Sequence, residues 1–250
     1  MSTAAPLQTT GPADTSRPPR PTDQSEETTV AQDAATAHEH ETASAERSHR
    51  ITLTTPISRQ DVEDIRVGDV VFLDGHITTC RDVAHRRVIE YGRQLPVDIR
   101  DGAILHAGPI IRALDEDRFE VVSVGPTTSM RMEKFEEEFI ARTGVRLIVG
   151  KGGMGPGTQA GCREHGALHC VFPAGNAVVA ATQVERVEGA QWRDLGMPET
   201  LWTFRVRQFG PLIVSIDAQG NNLFEQQKVI YNERKAEALA TLRQKVRYIR

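Results

Sequence analysis

The hydrophobic and polar positions divide this chain of 250 residues at about Arg50. The first fifty residues contain no aromatic side chain, and Leu7 and Val30 are their only branched aliphatic residues. Such a segment cannot bury enough apolar surface to offset the conformational entropy that it would lose on folding. We therefore predict a disordered acidic tail over residues 1–50 and a folded domain over residues 51–250.

Beyond the tail, apolar residues recur with the periods of strands and helices. Alternation after Ile51 predicts a first strand, and two β-rich runs flank Asp74-Gly75, a dipeptide typical of a type I′ hairpin turn. Further strands are predicted at residues 103–106, 119–124, 145–149, 168–172, 202–206 and 212–216. Helices are predicted at residues 81–93, 129–142, 157–165 and 223–246, the last being polar enough for an external brace or a subunit contact. Strands that come first in a run and then alternate with helices predict an α/β domain with a mixed sheet.

The distribution of charge narrows the class of partner. The first fifty residues hold four Lys/Arg and eight Asp/Glu, so they carry the whole net charge of −4, and the remaining residues hold 26 of each sign. A neutral body without a basic face argues against nucleic acid, although a few cations could still bind a small anion. Because no apolar run approaches about 20 residues and the N-terminus lacks the signal-peptide order, we expect a cytoplasmic protein with no membrane partner.

The three cysteines and one glycine loop each suggest a cofactor, but only weakly. Cys80, Cys162 and Cys170 lack CxxC spacing, which favours free thiols, with a three-cysteine iron–sulfur site as the alternative. The segment Gly150-Lys-Gly-Gly-Met-Gly155 fits G-x-G-x-x-G and would indicate a dinucleotide. That interpretation also requires an acidic residue about 20 positions further on, and residues 165–184 contain no Asp or Glu.

Three cations are predicted in or just before the first turn of a helix, namely Arg81, Arg131 and Lys151. The helix dipole disfavours cations at this end, where backbone N–H groups favour anions. Each cation also follows or lies within a Gly- or Thr-rich loop, so we predict that amides and side chains share one anionic ligand. Two such anchors suit a dicarboxylate, whereas solvated surface cations are the alternative.

Several polar residues accompany these cations, and each has an ordinary structural explanation as well. Thr127, Thr128 and Ser129 are of the types that cap helices, and capping is the simpler interpretation from the sequence alone. His85 lies four residues after the first of the cations, near the expected anion or on an ordinary surface. His106 ends a predicted strand, where it could face a ligand or complete a turn.

These same regions resemble the family of class I fumarases and L(+)-tartrate dehydratases, in its C-terminal or β-subunit portion. The motifs are Ile77-Thr-Thr-Cys-Arg-Asp-Val-Ala-His85, His106-Ala-Gly-Pro109, Gly125-Pro-Thr-Thr-Ser-Met-Arg131 and Gly150-Lys-Gly-Gly-Met-Gly155. Segments such as Phe172-Pro-Ala-Gly175, Leu195-Gly-Met-Pro-Glu199 and Phe209-Gly-Pro-Leu-Ile-Val-Ser-Ile-Asp217 favour the tartrate dehydratase branch. The likeness extends from about residue 51 to residue 246.

The resemblance implies a hydro-lyase built from two parts. An α subunit would carry an oxygen-sensitive [4Fe-4S] cluster, and this chain would be the β subunit, a swivelling β/β/α domain without metal ligands of its own. The implied assembly is an α2β2-type hetero-oligomer, and the implied reaction converts L(+)-tartrate to oxaloacetate and water. Fumarate/malate interconversion by the same machinery remains open, and a dinucleotide-dependent oxidoreductase or a non-catalytic scaffold is less favoured.

The resemblance also implies roles for individual residues. Thr127 would be the general base that removes a proton from carbon, with Arg131 and Lys151 as its catalytic neighbours. The implied substrate-binding residues are Arg81, Arg131, Lys151, Thr128, His85 and His106. Because a neutral hydroxyl is a weak base, the role of Thr127 requires nearby cations that stabilise an alkoxide.

Overall fold

The computed structural model describes residues 50–245 except residue 174, and it describes no side chains at residues 244 and 245. The predicted tail thus lies outside the described residues, apart from Arg50, which begins the first strand. The strands are β1 (Arg50–Thr54), β2 (Val70–Thr79), β3 (Ala103–Leu105), β4 (Ile110–Ala113), β5 (Phe119–Ser123), β6 (Leu147–Gly150), β7 (Leu168–Val171), β8 (Val184–Gln191) and β9 (Leu201–Ile216). The helices are α1 (Arg59–Glu63), α2 (Asp82–Ile89), α3 (Glu133–Thr143), α4 (Pro156–His165), α5 (Ala177–Thr182) and α6 (Leu223–Lys245).

The predicted mixed sheet is confirmed. Seven strands are ordered β1-β2-β3-β6-β7-β9-β8, and β4 and β5 form a separate antiparallel pair. Neighbours from β1 to β7 run parallel, whereas β9 pairs antiparallel with β7, β8 and β2. Because β9 reaches β2 as well as β7, strands β2, β3, β6, β7 and β9 close into a ring.

Alternation along the parallel strands produces two apolar cores. Leu105 and Val149 belong to the core enclosed by the sheet, whereas Ile104 and Ile148 pack on the opposite face. That second face is covered by α2, α3 and α4, which contribute buried residues such as Phe139. The helices therefore fix the loops that follow each parallel strand. None of the described helices is both long enough and apolar enough to cross a membrane.

The hairpin predicted at Asp74-Gly75 is wrong, because β2 continues through it as one strand. Gly75 has a φ of +105° at an irregularity in the pairing with β9, and a Cβ there would lie 2.2 Å from Thr55 Oγ1. Glycine is therefore needed because the strand forms a bulge and passes close to Thr55, and not because the chain turns here.

Two predicted strands at 202–206 and 212–216 are likewise one strand, β9, which continues through Gly210-Pro211. Pairing with three other strands maintains its extension across a dipeptide that usually interrupts a strand. Strands β4 and β8 and the short helices α1 and α5 were not predicted as separate elements. The helices predicted at 81–93 and 129–142 are shorter, α2 and α3, and α6 is exposed along most of its length.

Candidate active site

Loops at the carboxyl ends of three parallel strands bring the predicted residues together. Arg81 lies two residues after β2, His106 directly after β3, and Lys151 directly after β6. Parallel neighbours end at the same edge of a sheet, which is the usual ligand-binding edge in α/β proteins. The three loops therefore meet although they are far apart in sequence.

The segment from Thr127 to Ser129 joins two of these loops. The Thr127 N–H donates to the His106 carbonyl at 2.6 Å, and the Ser129 N–H donates to the Lys151 carbonyl at 3.0 Å. Thr128 forms an isolated parallel bridge with Lys151. The predicted base, Thr127, is thus held by its backbone next to both neighbouring loops.

Two of the three predicted cations remain available for an anion. Arg131 is exposed, and its Nη1 donates to Thr127 Oγ1 at 3.4 Å. Lys151 is partly buried at the end of β6. Within residues 50–245, neither side chain forms an ion pair, so these described residues do not neutralise the two positive charges.

Arg81 differs because the chain supplies it with acidic partners. Its Nε lies 3.1 Å from Glu199 Oε1, and its Nη2 lies 3.8 Å from Asp82 Oδ1. Burial raises the pKa of Glu199, and Asp82 adds to that rise, whereas Arg81 opposes it. The guanidinium also lies against the loop after β3, where a Cβ on Gly108 would come within 2.4 Å of Nη1. A ligand at Arg81 would therefore share the cation with Glu199.

Carboxylates of the chain itself accept from N-terminal amides of α2 and α4, the kind of group that was predicted to share the ligand. The Glu199 carboxylate accepts from the Val83 N–H at the start of α2 at 3.3 Å. At the start of α4, the Glu133 carboxylate accepts from the N–H groups of Gly155 and Gly157 at 2.7 and 2.9 Å. Acids are the side chains that a helix N-terminus favours, and here they come from elsewhere in the chain. These three amides are therefore already occupied in this structure.

The capping interpretation of the threonine and serine residues is wrong. Thr128 makes no side-chain capping bond, and a 3₁₀ turn over Ser129–Arg131 precedes α3, so Arg131 is not in the first turn of the α-helix. Ser129 is buried, and its Oγ lies 3.0 Å from His106 Nδ1 and accepts from the Lys151 N–H at 3.2 Å. A Cβ on Gly150 would lie 1.8 Å from this Oγ, so only glycine fits there.

Both predicted histidines lie beneath the site rather than in it. His85 and His106 have no solvent exposure, which rules out the surface location considered for His85 and leaves neither ring open to a ligand in this structure. His85 Nδ1 lies 2.8 Å from the Arg81 carbonyl, and its Nε2 faces Glu136. In this structure neither ring reaches the surface at which a substrate would bind.

Glu136 is a residue of this region that the sequence reasoning missed. It is fully buried on α3, and with His85 and His106 it forms a group whose ligand atoms all lie within 4.8 Å of one another. The helical spacing of Met132, Phe135 and Phe139 places position 136 within the apolar stripe of α3. A charged residue within this apolar stripe is the sequence signal that could have identified Glu136.

The cysteines do not fit an iron–sulfur cluster in this chain. Cys80, Cys162 and Cys170 are free and buried, and Cys170 lies in a different apolar core from the other two. Burial raises the pKa of the Cys162 and Cys170 thiols well above the ordinary range, which disfavours the thiolate that iron requires. Among the described residues, the group of three that could share an ion contains no cysteine.

Comparison with known proteins gives a consistent result. The family model described as "Fumarase C-terminus" matches residues 23–227. The L(+)-tartrate dehydratase subunit beta of Escherichia coli K12 is 58% identical over 198 residues, which are 79% of this chain and 98% of that protein. A putative L(+)-tartrate dehydratase subunit beta of Methanocaldococcus jannaschii is 42% identical over 182 residues, 71% of this chain and 93% of its own. A putative class I fumarate hydratase of Geobacillus stearothermophilus is 35% identical over 194 residues, 78% of this chain and 37% of its own.

Proposed function

The chain belongs to the fumarase C-terminal family, and from this membership we propose that it is the β subunit of a hydro-lyase that dehydrates L(+)-tartrate to oxaloacetate and water. The observation that carries the proposal is the meeting of Thr127, Arg131 and Lys151 at the carboxyl edge of the parallel strands. The similar proteins named as tartrate dehydratase β subunits are matched over nearly their whole length, which supports this substrate.

We propose that the cations bind the two ends of the dicarboxylate. Arg131 and Lys151 flank Thr127 and would hold the carboxylate near the reacting carbon, and Arg81, on the loop after β2, would hold the other. A guanidinium and an ammonium without an ion-pair partner among the described residues offer charge-assisted hydrogen bonds, which are stronger than neutral ones.

The proton on carbon passes to Thr127 in this proposal. Arg131 Nη1, at 3.4 Å from Thr127 Oγ1, stabilises the alkoxide form that makes the hydroxyl an effective base. The hydroxide that leaves the neighbouring carbon takes a proton from solvent to become water, Thr127 returns its own proton to solvent, and the resulting enol rearranges to oxaloacetate. The backbone hydrogen bond from Thr127 to His106 keeps the base in place throughout.

The partner subunit completes the proposed enzyme. The name "subunit beta" of the similar proteins supports an α subunit as partner, and we propose an α2β2-type assembly. Since the described cysteines of this chain do not form a ligand set, we assign the [4Fe-4S] cluster of the family to the α subunit.

Fumarate/malate interconversion is the second candidate, supported by the similarity to a class I fumarate hydratase. Steady-state rates of the co-purified α–β complex on L-tartrate, fumarate and L-malate decide between the two. We expect the highest kcat/KM for L-tartrate, and a higher value for fumarate or L-malate would assign the chain to the fumarases. A dinucleotide enzyme is disfavoured, because Glu133 occupies the amides of Gly155 and Gly157 at the start of α4, where a pyrophosphate would bind.

A further inference from the structure

A buried carboxylate lies beneath the proposed site without a solvent-exposed atom. Glu136 Oε2 is 3.3 Å from His85 Nε2 and 3.6 Å from His106 Nε2, and all three side chains are fully buried. Its helix neighbours Phe135 and Phe139 are buried apolar residues, so the position could hold an apolar side chain. A buried carboxylate is strongly unfavourable unless charged or polar partners compensate it. The presence of a carboxyl group at position 136 therefore requires an explanation.

The partners of His85 determine where its protons lie. Its Nδ1 is 2.8 Å from the Arg81 carbonyl, which can only accept, so Nδ1 carries a proton. Its Nε2 faces the Glu136 carboxylate, which also accepts. Burial alone would disfavour a charged ring, but the adjacent Cys80 and Glu136 raise the pKa of His85 well above its ordinary value. His85 is accordingly the cationic partner of Glu136.

His106 completes the network as a neutral ring. Burial and the neighbouring His85 and His169 lower the pKa of His106 well below its ordinary value. A single proton on Nε2 then points to Glu136, and Nδ1 accepts from the Ser129 hydroxyl at 3.0 Å. The same hydroxyl oxygen accepts from the Lys151 N–H at 3.2 Å. His85 and His106 thus each have a hydrogen-bond partner in one loop of the site, and Glu136 Oε2 lies 3.3 and 3.6 Å from their Nε2 atoms, in ion-pair range of both rings but without a hydrogen bond to either.

This network connects the loops that carry the proposed site residues. One end is the backbone of Arg81, and the other is the pair formed by Ser129 and Lys151. Between them, the His106 carbonyl accepts from the Thr127 N–H. Glu136 is the link between the two halves, because it is the group that faces both histidines.

We propose that Glu136 is a positioning residue which, through His85 and His106, fixes the spacing between Arg81 and the loops of Thr127 and Lys151. It does not touch substrate. Instead it keeps the two carboxylate-binding ends of the site at the separation that the dicarboxylate requires. This inference rests on the proposed dehydratase function, because its kinetic consequence is measured in that reaction.

The test compares Glu136→Gln with Glu137→Gln, a matched exchange at the adjacent exposed position on the same helix. In the α–β complex, we expect Glu136→Gln to lower kcat/KM for L-tartrate about ten- to a hundredfold, as small misplacements of binding groups do. Glu137→Gln should retain wild-type kinetics. Glu136→Asp keeps the charge and should recover part of the loss, which a purely space-filling role would not predict.

¹⁵N NMR of the full chain labelled with ¹⁵N-histidine measures the protonation of the histidine rings independently of enzyme activity. We expect His85 to be doubly protonated near neutral pH in the wild type and in Glu136→Asp, and to lose the second proton in Glu136→Gln. In a second, uniformly ¹⁵N-labelled sample, the backbone amide signals of Thr127 and Lys151 should shift in Glu136→Gln but not in Glu137→Gln. His85 is identified by the signal that disappears in His85→Gln.

Three results would overturn the positioning role. They are wild-type kcat/KM in the assembled Glu136→Gln complex, a singly protonated His85 in the wild type, and a stoichiometric metal ion in the purified chain that is lost in Glu136→Gln. The last would make the three residues a metal site. A wild-type complex inactive on tartrate, fumarate and malate would refute the proposed function, while the NMR shifts would still decide the positioning role.

Discussion

At the level of single residues, the cations of the site differ in what neutralises them. Arg131 and Lys151 have no ion pair within residues 50–245, whereas Arg81 is paired with Glu199. Because neither cation has an ion pair among these residues, an anion can bind to both without breaking an internal salt bridge. The cations themselves could be predicted from their unusual placement near helix starts, but their carboxylate partners come from distant positions that local sequence does not reveal.

Arg131→Lys should lower kcat/KM of the α–β complex at least about tenfold, because one lost charge-assisted hydrogen bond is typically worth ~1.5–3 kcal/mol. Lysine keeps the charge but cannot reach Thr127 and a carboxylate with the same planar fork. Since Arg131 is exposed, the melting temperature should hardly change. Unchanged kinetics in this variant would remove Arg131 from the site.

Thr127→Val should abolish turnover while leaving the affinity for a non-reacting dicarboxylate nearly unchanged. Valine keeps the shape and the backbone hydrogen bond to His106 but removes the hydroxyl that accepts the proton. Turnover and isothermal titration with the α–β complex measure the two effects. A loss of affinity as large as the loss of turnover would instead indicate a binding residue.

His169 should make the chain less stable in acid. Burial lowers its pKa from 6.5 to about 3, so the unfolded chain binds a proton that the folded chain excludes. The contribution of neutral His169 to the free energy of unfolding is therefore fully present above about pH 6.5. It falls as the pH decreases toward 3, by about 1.4 kcal/mol per pH unit. Denaturant unfolding measures the free energy of unfolding between pH 4 and 6. Its slope against pH should be smaller in His169→Asn than in the wild type by that amount, and identical slopes would show that His169 titrates normally.

At the level of elements, the site is built by loops whose ends are fixed by the chain's own carboxylates. Glu133 at the start of α3 binds the start of α4, and Glu199 binds the start of α2. Most strands and helices could be predicted from apolar periodicity. The pairing of β2 with both β1 and β9 could not, because the Asp74-Gly75 dipeptide indicates a turn and a bulge equally well and long-range pairing decides between them.

Glu133→Gln should destabilise the chain by about 1.5–3 kcal/mol. The neutral amide loses the interaction with the helix dipole of α4, and one of its two ends cannot accept hydrogen bonds from Gly155, Gly157 and Thr158. Denaturant unfolding measures the change, with Glu137→Gln as the control. Equal stability of the two variants would contradict this role for Glu133.

At the level of the whole molecule, the closed ring of strands carries a layer formed by α2, α3 and α4, and the loops of the site lie at one edge. The mixed α/β class and the family could be predicted from the sequence. The motifs that identify the family occur in order along the chain, and they form the loops at that edge. The buried network of His85, Glu136 and His106 could not, since each member looks ordinary in its own segment. Only the packing of α2 and α3 against the sheet brings the three together.

Anaerobic reconstitution tests the central claim most directly, namely that this chain supplies the carboxylate-binding half of a two-subunit hydro-lyase. The purified chain should be colourless and should not dehydrate L-tartrate, because the described cysteines form no cluster site. Mixing it with a cluster-loaded α subunit should produce oxaloacetate from L-tartrate, and the Thr127→Val chain should fail to do so in the same mixture. Robust dehydration by the metal-free chain alone, or equal activity with Thr127→Val, would contradict the account.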